Sequence, residues 1–218
     1  MALSVIGIIV FFIWGCPLLR FLFIRLYFAA WLFFKATIYD EFKYCYKSIF
    51  SIFKNTEGRF SDLLIYYNGT FYIIKLCGFL RKRSDVVVLS NNSWQINSKM
   101  IPLVPFMNPI ENISYRRISF DLINEKDQFE SEIWNLSHIT EVKCIILLLP
   151  KPRDFGIHVE KRTEWFNSGD LYRGDIVSTL RYFRELIRES REPREKNILL
   201  EDAQWVIIKK EYKQIKCN

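Results

Sequence analysis

Hydrophobic and polar positions divide the chain into an apolar N-terminal stretch and a longer part built of short apolar runs between polar ones. No charge occurs from Ala2 to Leu19, and aromatic and aliphatic residues continue past Arg20 and Arg25 as far as Phe34. An uncharged run of this length sits at the lower limit for a bilayer-spanning helix, about 17 residues. The pattern predicts one span over about 3–23, with Arg20 snorkelling to the interface. An extension to Phe34 would lie in the headgroup zone, with Tyr27 and Trp31 suited to that depth. A cleaved signal peptide fits poorly, because no Lys or Arg precedes the run and the run is too long. Ile13-Trp14-Gly15-Cys16 is a poor lipoprotein cleavage site for the same lack of a basic start.

Beyond Lys35 the period changes. Ile38, Phe42, Cys45, Ile49 and Phe53 recur at three- and four-residue spacing, which predicts a helix over 37–53 ended by Glu57-Gly58. Two β-rich runs, Phe60–Tyr67 and Thr70–Leu76, flank Asn68-Gly69, the dipeptide best suited to a two-residue type I′ turn. They predict a β-hairpin. Ser84–Leu89 reads as a third strand. Asn108-Pro109 reads as a helix start, with Asn108 as cap and proline at the first helical position. Val142–Leu149 is apolar apart from Lys143, the signature of a strand buried on both faces. Lys151–Gly174 reads as an irregular connection, Asp175–Ser190 as a helix with Ile176, Leu180, Phe183 and Ile187 inward, and Ala203–Lys209 as a last strand.

Composition adds constraints. Half of the residues are hydrophobic, 17% are aromatic, and the net charge is +7. The basic residues after the span, Arg20, Arg25, Lys35, Lys43 and Lys47, face an N-terminal flank with none, so the positive-inside bias places the C-terminal domain in the cytoplasm. The sequons at Asn68, Asn91, Asn112 and Asn135 are then incidental. Cys16, Cys45, Cys77, Cys144 and Cys217 are scattered without a Cys-x-x-Cys pair, and His138 and His158 have no partner at ligand spacing, so neither a zinc site nor a disulfide framework is expected. Nucleotide-binding glycine loops, a Gly-x-Ser-x-Gly elbow and His-Glu-x-x-His are all absent. The acidic stretch Asp121, Glu125, Asp127, Glu130 and Glu132 reads as a solvated helix end. The basic loop Arg81-Lys82-Arg83 is the candidate nucleic-acid contact.

One resemblance organises these parts. An Asp opening a strand (Asp62), a turn glycine (Gly69), a second strand, a later Trp (Trp94), an Asn-Pro start (Asn108, Pro109, with Asn112 for the usual Gln) and a closing apolar strand come in the order of the nuclease-related domain. That family is a branch of the PD-(D/E)XK nuclease-like fold, and the resemblance covers about residues 37–190. It implies a restriction-endonuclease-like core and a metal-dependent site in which the second strand supplies Glu and Lys two residues apart. Here those positions carry Ile74 and Leu76, and Lys75 between them faces the other way. Asp62 alone does not hold Mg²⁺.

The sequence reading is therefore an α/β protein. Residues 1–35 form a membrane anchor, and residues 36–218 form a cytoplasmic domain with a mixed sheet of four or five strands. The expected role is a non-catalytic module holding a protein or nucleic-acid partner at a membrane face, with no metal or cofactor. Two alternatives stand beside it. One is an active nuclease using Mg²⁺ through Asp62, Lys75, Glu41 and Asp85. The other is a structural subunit of a membrane complex.

Overall fold

Asn68 and Gly69 both take positive φ, 47° and 77°, and close the hairpin in the two-residue turn that the dipeptide favours. The computed structural model describes residues 17–48, 60–79, 84–89, 93–100, 110–117, 120–133, 141–159, 162–190 and 200–215. The hairpin strands are β2 (Leu63–Tyr67) and β3 (Thr70–Cys77), preceded by β1 (Lys43–Tyr46). Further along lie β7 (Glu141–Leu148), β10 (Leu171–Tyr172) and β11 (Asp175–Thr179). Together they form a six-stranded mixed sheet in the order β1-β2-β3-β7-β11-β10. The β3–β7 and β7–β11 pairs are parallel, and the others are antiparallel. Every residue of β2 and β3 is buried, as is the apolar half of β7. Sheets with parallel central strands are covered on both faces, which is why these strands read as continuous apolar runs.

A second sheet grows from the first. The chain leaves β3 through Gly78 into β4 (Ser84–Val88), and leaves β7 through Pro150 into β8 (Asp154–Val159). β4 and β8 are again parallel neighbours. With β5 (Ser93–Met100), β6 (Ile110–Arg117) and β9 (Arg162–Trp165) they give a five-stranded sheet in the order β6-β5-β4-β8-β9. One core joins the two sheets: Ile73, Cys77, Ile146 and Leu148 meet Val86, Trp94 and Phe155, with the Trp94 ring 5.4 Å from Phe155 and edge-on to it. Two helices, α2 (Leu122–Ile133) and α4 (Asp202–Gln214), close this side through Phe129, Ile208 and Tyr212.

The opposite face of the six-stranded sheet, lined by Leu63, Ile65, Tyr72, Ile74, Ile145 and Leu147, is covered by α1 (Pro17–Ile38) and α3 (Leu180–Glu189). Phe21, Arg25, Phe28 and Leu32, spaced one helical face apart, are the buried stripe of α1. Its other side carries Leu19, Phe23, Leu26, Phe33 and Phe34, all exposed. Leu18–Ile38 is long and apolar enough to cross a membrane. Most of the expected span over 3–23 lies outside the described residues, and what is described of it, from Pro17, is already part of a helix docked on the sheet.

Several sequence expectations change here. The expected helix over 37–53 is not formed across its described part: α1 ends at Ile38, and Lys43–Tyr46 is an edge strand pairing with β2. Phe42 and Cys45 suit a helix by spacing, but they bury on opposite faces of the sheet. The expected helix after Asn108 is strand β6, with Asn112 paired to Ser98 of β5; Asn108 and Pro109 themselves lie outside the described residues. Asp175 begins a strand, and the helix starts only at Leu180, where the Thr179 hydroxyl accepts from the Tyr182 N–H. The expected last strand over 203–209 is the middle of α4, whose Ile208 and Tyr212 are four residues apart and buried. The connection over 151–174 contains β8, β9 and β10. Two sheets replace the single sheet of four or five strands.

Candidate functional site

The site is set by hairpin register. Leu63 pairs with Ile74, so the next residues outward, Asp62 and Lys75, stand opposite one another on one face. Asp62 N–H donates to the Ile74 carbonyl at 2.8 Å. Its Oδ2 accepts from the Leu76 N–H at 2.9 Å and lies 3.3 Å from Lys75 Nζ. Lys75 Nζ also donates to the Phe60 carbonyl at 2.7 Å and sits 5.7 Å from the centre of the Phe120 ring. Lys75 does face away from Ile74 and Leu76, as expected. Asp62 faces with it, so these two functional candidates share one side of the hairpin.

A second charged pair adjoins the first. Glu125 of α2 is fully buried, which corrects the reading of its acidic stretch as merely solvated. Its Oε2 accepts from Ser61 N–H at 2.7 Å and its Oε1 from the Ser61 hydroxyl at 2.7 Å. Lys47 Nζ also reaches Oε1, and stands over the rings of Phe60 and Tyr212. The Tyr212 hydroxyl lies 2.6 Å from Ser61 Oγ. No local sequence pattern marks Glu125, Lys47 or Tyr212 as partners, since they come from three separate elements. The facing of Asp62 and Lys75, by contrast, is a consequence of the two-residue turn: counting five residues outward from Tyr67 and from Thr70 lands on them.

Electrostatics make this a closed network. Burial pushes the Asp62 carboxyl up from its ordinary value, while Lys75 and the Leu76 N–H pull it down. Burial, reinforced by Glu125, holds the Tyr212 phenol well above its ordinary value. Asp62 retains 8% exposure, Lys75 2% and Glu125 none. Both Glu125 oxygens and Oδ2 of Asp62 are occupied by protein donors. Among the described residues no group of three metal-ligating side chains converges. On the far side of the sheet, Arg25 of α1 is 1% exposed and donates to the Leu76 carbonyl at 3.3 Å, while its Nε and Nη1 have no hydrogen-bond partner.

The remaining candidates are elsewhere. Glu41 precedes β1, whose Lys43 pairs with Tyr66, so it lies at the turn end of β2, roughly 20 Å along the strand from Asp62. Asp85 is in the second sheet and is held by Arg153. The four residues of the nuclease alternative therefore do not assemble. Arg81, Lys82 and Arg83 lie outside the described residues. His158 sits exposed on β8, 3.4 Å from the Thr163 hydroxyl, away from the cluster's residues. Burial raises the thiols of Cys45 and Cys77 to about 12, which leaves them protonated and inert at neutral pH. No family model, no curated protein and no solved structure matches the chain.

Proposed function

We propose that this chain is a membrane-attached, non-catalytic module, similar in layout to the nuclease-related domain, that holds a protein or nucleic-acid partner at the cytoplasmic face. The observation that carries the reading is that α1 presents large apolar side chains on two opposite faces. One stripe packs on the sheet, and large side chains such as Phe23 and Phe34, 54% and 61% exposed, remain on the other. A helix with a second, exposed apolar face calls for a second apolar partner, and a bilayer supplies one.

The absence of catalysis rests on the Asp62 cluster. The two motif positions on β3, Ile74 and Leu76, are buried hydrocarbon on the face opposite Lys75. The strand order also supports the family-like layout, with Asp62 at the start of one hairpin strand, Lys75 in the other and the apolar β7 parallel to it. The strand at Asn112 weighs against the helix-start part of that layout. Both Glu125 oxygens and Oδ2 of Asp62 are engaged by protein donors, whereas phosphodiester hydrolysis needs carboxylates open to an ion. Burial of Asn68, whose side-chain amide donates to the Ser190 carbonyl at 2.6 Å, fits a sequon that is never glycosylated.

The test is plasmid nicking with Mg²⁺ and with Mn²⁺, using the full-length chain and its Asp62→Ala variant. Neither protein is expected to nick. Nicking by the wild type that Asp62→Ala abolishes would replace this reading with the nuclease alternative. Membrane attachment is tested by carbonate extraction of cell membranes: recovery in the soluble fraction would remove the anchor.

A further inference from the structure

The face of the six-stranded sheet that α1 covers is shared with α3, and the two helices leave a groove between them of about 620 Å³. Its walls carry Lys35, Arg181, Arg184 and Arg188, with Trp31 and Tyr67 beneath. One carboxylate, Glu185, also lines it and is engaged by Arg181 Nε at 3.2 Å. Arg184 lies over the rings of both Tyr27 and Trp31, 5.2 Å from each centre, and donates to the Tyr27 hydroxyl at 3.0 Å. Arg188 is exposed and has no carboxylate partner among the described residues. The groove therefore keeps an excess of positive charge held beside aromatic rings.

Immediately around the helix from this groove is the uncharged outward face of α1. Leu19, Phe23, Leu26, Phe33 and Phe34 succeed one another along it with no Lys, Arg, Asp or Glu between them on that side. Basic and aromatic residues flanking an apolar helical surface match the cross-section of a membrane leaflet: charge and Trp/Tyr at the headgroups, hydrocarbon just below. The docked stripe argues against α1 crossing. Phe28 and Leu32 seat on the sheet beside Phe183 of α3, so a crossing α1 would carry the arginines of α3 into hydrocarbon, where they are strongly disfavoured.

We propose that α1 lies along the membrane surface with its outward face in the leaflet, and that the α1–α3 groove seats the phosphate of an anionic phospholipid. This rests on the membrane attachment proposed above and adds to it an orientation and a lipid class. Charge complementarity selects the occupant: three arginines and a lysine against one paired carboxylate favour an anionic headgroup over a zwitterionic one.

The experiment uses the full-length chain in which Cys16 and Cys217 are replaced by serine, reconstituted in phosphatidylcholine vesicles with and without phosphatidylglycerol. Spin labels are placed in turn at Leu19, Leu26 and Phe33, and their depth is read from oxygen against nickel-chelate accessibility. A surface helix places all three labels at one shallow depth. A depth that passes through the bilayer centre between Leu19 and Phe33 would overturn the orientation while leaving membrane attachment intact. Water exposure at all three sites, with the protein extracted by carbonate, would overturn attachment itself. Lipid selectivity is read from spin-labelled phosphatidylglycerol against spin-labelled phosphatidylcholine. Each arginine near an anionic surface contributes roughly fivefold, so Arg181→Gln/Arg184→Gln/Arg188→Gln is expected to reduce the preference by more than about tenfold. Circular dichroism and the label depths check that the variant remains folded and seated. Equal association of the two lipids with the wild type, or an unchanged preference in a folded triple variant, would overturn the groove as the headgroup site.

Discussion

Lys75 Nζ lies 3.3 Å from Asp62 Oδ2 across the β2–β3 hairpin, and both side chains are buried. Removing one member of such a pair leaves a desolvated charge behind, which typically costs about 3–5 kcal/mol. Lys75→Met is expected to lose stability of that order in urea unfolding of the full-length chain in detergent. Asp62→Asn added to it keeps an acceptor for the Leu76 N–H and removes the stranded charge, so the double variant is expected to recover at least half of the loss. Losses that simply add would mean that water reaches the pair.

Arg25 presents the reverse case. Its guanidinium is buried with a single hydrogen bond and two unpartnered nitrogens. Unsatisfied buried donors disfavour the folded state. Arg25→Met conserves apolar packing against Phe21, and Asp62 still has Lys75. Stability is expected to rise by about 1–2 kcal/mol in the same unfolding assay; a loss larger than about 1 kcal/mol would show that the guanidinium contributes a net attraction to the sheet.

Gly78 sits where α1 crosses the end of β3. A Cβ there would come within 2.4 Å of the Phe21 ring, 2.7 Å of Arg25 Nη2 and 2.8 Å of the Leu149 carbonyl. The carbonyl is backbone and cannot swing aside. Gly78→Ala is expected to cost about 1–3 kcal/mol and to loosen the N-terminal half of α1 first. Limited proteolysis should then cut near Arg20 and Arg25 before the core is attacked.

Asp175 contributes a pH dependence to stability. Burial, with Asp121 nearby, raises its carboxyl to about 7, although Arg173 opposes the shift. Its Oδ1 has no hydrogen-bond partner. The folded state therefore binds a proton that the unfolded chain has released, and between about pH 4 and pH 7 this group makes stability fall as pH rises. Above pH 7 the loss is complete, on the order of 4 kcal/mol. Asp175→Asn is expected to flatten that slope and to be more stable than wild type at pH 8. Parallel melting curves against pH for the two proteins check this; equal slopes would remove Asp175 as the cause.

The sequence by itself determined those parts whose physics is local. Asn68 and Gly69 accept positive φ, so the turn, the hairpin register and the facing of Asp62 with Lys75 are all encoded within a few residues. Val142–Leu149 declares burial on both faces because no polar residue interrupts its last five positions. The apolar character of 18–38 likewise needs no partner to be seen. Tertiary structure decided the rest. Phe42 and Cys45 fit a helical stripe and equally fit an edge strand, and pairing with β2 selected the strand. Val206-Ile207-Ile208 is β-branched, yet the segment is helical because Ile208 and Tyr212 must reach the core together. Glu125 looks like a surface charge until Ser61 and Lys47 arrive from distant elements to satisfy it. Which side of α1 is dry against the sheet, and which stays exposed, was decided only when β3, β7 and α3 presented the surface it packs on.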